Sequence, residues 1–272
     1  MIFRTHRRFT LISAASLALT ACALSPGPVM SPSSAVVALP GLAPGSAPVS
    51  SGACPYAMAA IPGGAFIIGS NDGKPDEARQ RVVVEPFCMD VTEVTTNAYE
   101  ACVVAGACAV ASSDRGAAYR NSGKAGRGNH PINGVTWKDA KVYCEWAGKR
   151  LPTEEEWEYA ARGSDGRKYP WGEAAPSEQL CWRGIEARLG TCAVGAFPGD
   201  KSAFGLLDMG GNVWEWTSSG YSIAYGHEAS GVAKVARGGS WADRGAEHVR
   251  AANRRRLDPM FFFDSLGFRC AR

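Results

Sequence analysis

The chain has 272 residues, with 29 Lys plus Arg against 26 Asp plus Glu and a formal net charge of +3. That length holds one sizeable domain with a leader and a tail, or two small domains at most. The small net charge, with no basic stripe through the body of the chain, argues against nucleic-acid binding.

Arg4, Arg7 and Arg8 give the N-terminus a positive flank, followed by an apolar run from Phe9 to Thr20. The run is too short to span a bilayer as a helix and reads as a signal-peptide core. It ends in Leu19-Thr20-Ala21-Cys22, which resembles a bacterial lipobox. The sequence therefore predicts a lipoprotein signal peptide over residues 1–21, a lipid on Cys22, and export to the bacterial envelope. Ala23, where Asp would retain the protein at the inner membrane, points to the outer membrane. Ordinary secretion is the competing reading. Residues 22–53 are rich in Pro, Ser, Ala and Gly, and residues 23–53 hold no charge, so this stretch is expected to be a tether. The folded domain is placed at residues 54–272.

Within that domain, Ala59 to Gly69 predicts two short strands around a turn, and Arg81 to Phe87 a further strand. Three helices follow. The first starts near Thr95 and runs to about Ala105, stopped by Gly106. The second starts at Thr136, with Asp139 as capping partner, and ends at Gly148. The third starts at Thr153, with Glu156 completing a capping box, and ends at Gly163. Beyond Gly163 the pattern is turns and short strands. All eight tryptophans lie between residues 137 and 241. Most suit core packing in a fold poor in regular structure. One or two remain available for stacking on a carbohydrate or peptide.

With Cys22 lipidated, eight of the nine cysteines remain: Cys54, Cys88, Cys102, Cys108, Cys144, Cys181, Cys192 and Cys270. An even set in an exported chain suggests disulfides, and no Cys-x-x-Cys spacing favours zinc. Cys102–Cys108 and Cys181–Cys192 are plausible local loops. Spacing leaves the pairing of the other four open.

Several segments are specific when taken in order. They are Pro62-Gly63-Gly64-x-Phe66-x-x-Gly69-Ser70; Asp90-x-Thr92-Glu93-Val94-Thr95 with Asn97 and Tyr99; and His130-Pro131-x-Asn133-x-Val135-x-Trp137. Next come Tyr143-Cys144-x-Trp146-Ala147-Gly148-Lys149-Arg150-Leu151-Pro152-Thr153-Glu154-x-Glu156-Trp157-Glu158-Tyr159-Ala160 and Tyr169-Pro170-Trp171-Gly172. Gly205-Leu206-x-Asp208-Met209-x-Gly211-Asn212-Val213-Trp214-Glu215-Trp216, Arg237-Gly238-Gly239-Ser240-Trp241 and Gly267-Phe268-Arg269-Cys270-Ala271 complete the series. It resembles the sulfatase-modifying-factor, or formylglycine-generating enzyme, family over about residues 57–272. The resemblance implies one compact α+β domain with a C-type-lectin-like fold. It also implies a Cys144–Cys270 disulfide, which leaves Cys54 with Cys88. A second family disulfide falls here on Ala161 and Asn253, so both partners are missing together. A calcium site is implied at the Asp208 and Glu215 carboxylates and the Gly211 and Val213 carbonyls, hard oxygen donors that suit Ca²⁺. The competing role for the two carboxylates is to accept hydrogen bonds from loop amides.

The family's enzymes oxidise a substrate cysteine with oxygen, using Cu(I) held by two cysteines just after Arg-Gly-Gly-Ser. Asp243 and His248 occupy those positions here, and no cysteine lies between Cys192 and Cys270. The copper centre therefore lacks its ligands. Asp243 and His248 suit iron, zinc or copper(II) if His130 or His227 joins them; otherwise they are surface residues of a retired site. Arg250 and the run Arg254-Arg255-Arg256 precede Phe261-Phe262-Phe263. This combination fits either an anionic or glycan partner or a salt-bridged face. The expectation is a binding or scaffolding module that holds a peptide, protein or glycan in a groove lined by Trp241, Arg244 and Arg250. The alternative is an oxygen- and metal-dependent oxidoreductase with Asp243 and His248 as altered ligands.

Overall fold

The computed structural model describes residues 54–111, 118–184, 187–223, 225 and 232–272. The expected signal peptide, the tether, Cys22 and His227 lie outside the described residues.

Two short hairpin-like ladders open the domain. Strand β1 (Met58–Ile61) pairs antiparallel with β4 (Phe87–Asp90), and β2 (Gly64–Ile68) pairs antiparallel with β3 (Gln80–Val84). The turn between β1 and β2 requires glycine: Gly63 has φ +72°, and a Cβ there would meet the Val84 carbonyl oxygen at 2.6 Å. The strand expected from Arg81 to Phe87 is two strands. Pro86, which has no N–H for a ladder, separates β3 from β4.

The helices begin where capping chemistry places them. Helix α1 (Thr96–Val104) starts with the Thr95 hydroxyl accepting from the Ala98 N–H. Helices α2 (Trp137–Trp146) and α3 (Glu154–Arg162) each start with a reciprocal capping box, Thr136 with Asp139 and Thr153 with Glu156. A four-stranded sheet follows in the order β7-β6-β5-β8, from β5 (Trp214–Gly220), β6 (Lys234–Arg237), β7 (Arg254–Leu257) and β8 (Leu266–Gly267). β8 runs parallel to β5, and the other pairs are antiparallel.

One apolar cluster gathers Tyr99, Tyr143, Leu151, Trp216 and Phe268 between α1, α2 and the sheet. A second gathers Phe66, Ile68, Trp157 and Met209 around α3 and the β2–β3 ladder. Trp157, Trp182, Trp214, Trp216 and Trp241 are buried, so packing occupies most of the tryptophans, while Trp146 is exposed.

Four disulfides close the fold: Cys54–Cys88, Cys102–Cys108, Cys144–Cys270 and Cys181–Cys192. The third joins α2 to the C-terminal segment across 126 residues of chain. Buried ion pairs fasten α3 to the sheet. Glu154 receives Arg237 and Arg254, and Glu158 receives Arg162 and Arg237. Arg254, the first residue of the basic run, is therefore an internal tie.

Candidate functional site: the surroundings of Asp243

β5 delivers Trp214, and the turn after β6 delivers Ser240 and Asp243. Asp243 Oδ2 accepts hydrogen bonds from Trp214 Nε1 at 2.9 Å and Ser240 Oγ at 2.8 Å. The Asp243 carbonyl also accepts from the Arg183 N–H at 3.1 Å. The carboxylate thus locks an indole and a hydroxyl in place. His248 sits on a short 3₁₀ turn (Ala246–Val249), half-exposed, with Nε2 3.6 Å from Glu247 Oε1. No hydrogen bond or ion pair joins His248 to Asp243. His130 is engaged elsewhere: its Nδ1 lies 2.9 Å from Thr191 Oγ1 and 3.2 Å from Arg127 Nη1. Burial and the Arg127 charge hold its pKa below the usual histidine value. Among the described residues no three His, Cys, Asp or Glu side chains converge to hold a metal.

Two of the three residues expected to line the groove face inward. Trp241 is buried, donates from Nε1 to the Asp264 carbonyl at 3.1 Å, and packs edge-on against Tyr119. Arg250 is buried in a bidentate pair with Glu77, at 2.8 and 3.0 Å. Apolar packing and a carboxylate partner take both out of ligand reach, so only Arg244 of the three is exposed.

The sequence left one neighbour of Trp214 without a distinct role. Arg255 on β7 places its guanidinium 5.3 Å from the Trp214 ring centroid and 5.6 Å from that of Phe263. Phe263 meets Phe261 edge-on at 5.6 Å. The signal was the Arg-rich run before the Phe run; only the fold shows which arginine reaches the site.

The expected calcium residues belong to a buried acidic cluster. Glu215 accepts three hydrogen bonds: Oε2 from Arg269 Nε and Trp157 Nε1, and Oε1 from Arg269 Nη2, each at 2.7 Å. Asp208 Oδ2 accepts from the Gly195 N–H at 2.6 Å, and the Asp208 N–H donates to Asp200 Oδ2 at 3.0 Å. Glu93 is buried beside them, with both carboxylate oxygens lacking a hydrogen-bond partner. Burial first, then the Asp208 charge, raises the Glu93 pKa well above the usual carboxylate range and pushes Asp200 up to about 8. Burial also raises Asp208. A calcium ion on the Glu215 carboxylate would have to share it with Arg269 and Trp157, which already engage both oxygens. A separate cavity of about 300 Å³ lies between α2, the start of α3 and β5, lined by Trp137, Lys141, Glu145, Arg150 and Leu151 among others. It holds none of the residues singled out in the sequence for chemistry.

This α+β architecture, with its small central sheet and long turn segments, is a C-type-lectin-like fold. The chain belongs to the sulfatase-modifying factor enzyme 1-like domain family, whose model matches residues 47–272. It is 34% identical to the formylglycine-generating enzyme of Streptomyces coelicolor, over 89% of this chain and 96% of that protein. It is 44% identical to the inactive C-alpha-formylglycine-generating enzyme 2 of Bos taurus, over 52% of this chain and 50% of that protein, so it spans half the length of that relative. Among solved structures it is similar to PvdO from Pseudomonas aeruginosa, with a TM-score of 0.66 and 27% identity over 79% of this chain and 93% of the other.

Proposed function

We propose that this domain is a non-catalytic binding module that uses the family groove to hold a peptide or protein partner. The observation that carries the reading is Asp243. At a position where the resemblance implies a copper thiolate, this chain has a carboxylate spent on Trp214 and Ser240. Copper(I) is a soft ion and needs soft ligands, and all eight cysteines of the described residues are consumed in disulfides. His248 stands apart and pairs weakly with Glu247. A relative named as an inactive generating enzyme supports the idea that the fold serves without the oxidation. Export with a lipid on Cys22 accords with the disulfides, which persist in oxidising compartments.

The test is oxygen consumption by the full chain with a cysteine-containing peptide, supplied in turn with Cu(I) and Fe(II). The reading predicts no uptake above the protein-free control. Uptake that disappears in Asp243→Ala or His248→Ala would establish the oxidoreductase alternative instead.

A further inference from the structure

We infer that Arg255 is the anchor of the groove's ligand site, and that the ligand is a peptide segment carrying a carboxylate beside a large apolar side chain. The inference rests on the binding-module reading and names the ligand class for it.

The first observation is the state of the guanidinium. Among the described residues Arg255 makes no ion pair and no side-chain hydrogen bond, although it is only half-exposed. The other inward or half-buried arginines of the region are committed: Arg250 to Glu77, Arg254 to Glu154, Arg237 to Glu154 and Glu158. Arg255 is instead held between the rings of Trp214 and Phe263, at 5.3 and 5.6 Å from their centroids. The two rings restrain the guanidinium while its N–H groups keep no hydrogen-bond partner among the described residues. A planar fork held that way is organised to receive a carboxylate through two parallel hydrogen bonds.

The second observation is the surface beside it. Met260, Phe261 and Phe263 are exposed at 71%, 49% and 37%, a cluster of large apolar groups open to solvent. Their loop is pinned rather than loose. The Phe261 N–H donates to the Asp258 carbonyl, the Met260 N–H to Asp258 Oδ1, and the Pro259 carbonyl accepts from the Trp137 N–H. An exposed apolar cluster on a fixed loop marks a contact surface. The local charge selects the partner. Arg244 is exposed and makes no ion pair among the described residues, whereas Asp243 Oδ2 is engaged by Trp214 and Ser240, and Asp258 Oδ1 caps its own turn. The face therefore offers fixed cationic hydrogen-bond donors next to apolar rings, and an acidic segment with an adjacent aromatic or aliphatic side chain complements both.

The experiment uses the full, disulfide-bonded chain and two fluorescein-labelled peptides, acetyl-Gly-Ser-Glu-Phe-Gly-amide and the same peptide with Gln for Glu, read by fluorescence anisotropy. The acidic peptide is expected to bind about tenfold or more tightly than the amide peptide, the size of one charge-assisted hydrogen-bond pair. Arg255→Gln should abolish that preference. Arg255→Lys keeps the charge but loses the fork, and should retain only a small part of it. Phe261→Ser changes an exposed ring, leaves the fold intact, and should weaken both peptides severalfold. Equal binding of the two peptides, no binding of either, or an unchanged preference in Arg255→Gln overturns the inference. So does saturation by inorganic phosphate or by phosphatidylglycerol vesicles without any preference between the peptides, because the apolar half of the site is then unused. Each of those failures leaves the binding-module reading standing, since that reading falls to metal-dependent oxygen uptake.

Discussion

Replacing Arg269 with Met should strike the buried carboxylate cluster behind β5. Arg269 is fully buried. It donates twice to Glu215 at 2.7 Å, to the Asp90 and Val91 carbonyls at 3.1 Å, and to the Leu207 carbonyl at 2.9 Å. Its charge also lowers the pKa values of Glu93, Asp200 and Asp208 against the burial that raises them. One cation therefore serves four carboxylates, and Glu215 lies next to Trp214 on β5. Breaking a buried pair by deleting one partner costs about 3–5 kcal/mol, because the remaining charge stays buried without compensation. Three main-chain carbonyls lose a donor as well, which places Arg269→Met toward the upper end of that range. Set against a total of roughly 5–15 kcal/mol for a native domain, that is a third or more of the stability. The assay is urea unfolding with the disulfides intact, at pH 5 and pH 8. Arg269→Met should lower the midpoint strongly at pH 8 and less at pH 5, where the stranded carboxylates protonate more readily. The double variant with Glu215→Gln should cost about 1–3 kcal/mol less than the sum of the singles. A loss under about 1 kcal/mol, within the range of an ordinary surface pair, would refute the reasoning, as would strict additivity.

Three further outcomes are expected. Replacing Cys144 and Cys270 by Ala releases a loop of 126 residues; the unfolding free energy should fall by about 4–5 kcal/mol on the chain-entropy account. Asp200 binds its proton more tightly in the folded chain, with a pKa pushed up to about 8. The folded state thus carries the extra proton, so its contribution is fully present below about pH 4 and is lost as pH rises through about 8. Thermal midpoints measured in chelator should fall over that window, and Asp200→Asn should flatten the slope. Because Arg269 and Trp157 occupy the Glu215 carboxylate, adding excess calcium or EDTA should leave the melting temperature unchanged; a large, reversible calcium-dependent rise would restore the expected calcium site.

Local chemistry made part of this fold legible. Thr95, Thr136 and Thr153 announced the helix starts because a cap is satisfied within three residues of itself. The ordered motifs specified the family for a similar reason: they are contiguous. Side-chain direction was not legible. Trp241 and Arg250 sit beside the groove in sequence, but Tyr119, Asp264 and Glu77, far away in the chain, turn them inward. The acidic cluster was hidden too, because Glu93, Asp200, Asp208 and Glu215 meet only through the tertiary fold, and burial rather than composition shifts their titration. Arg255 looked like its two neighbours until β7 placed Arg254 inward and Arg255 against Trp214. The strand expected from Arg81 to Phe87 stops at Val84 because its break depends on a single proline at position 86.

The central claim is that the Asp243 site holds no redox metal. The most direct measurement is elemental mass spectrometry of the full chain, purified with its disulfides formed and incubated separately with Cu(I) and Fe(II) before removal of free ion. The account predicts substoichiometric copper and iron, unchanged in Asp243→Ala and His248→Ala. One copper or iron per chain that disappears in either variant would contradict it.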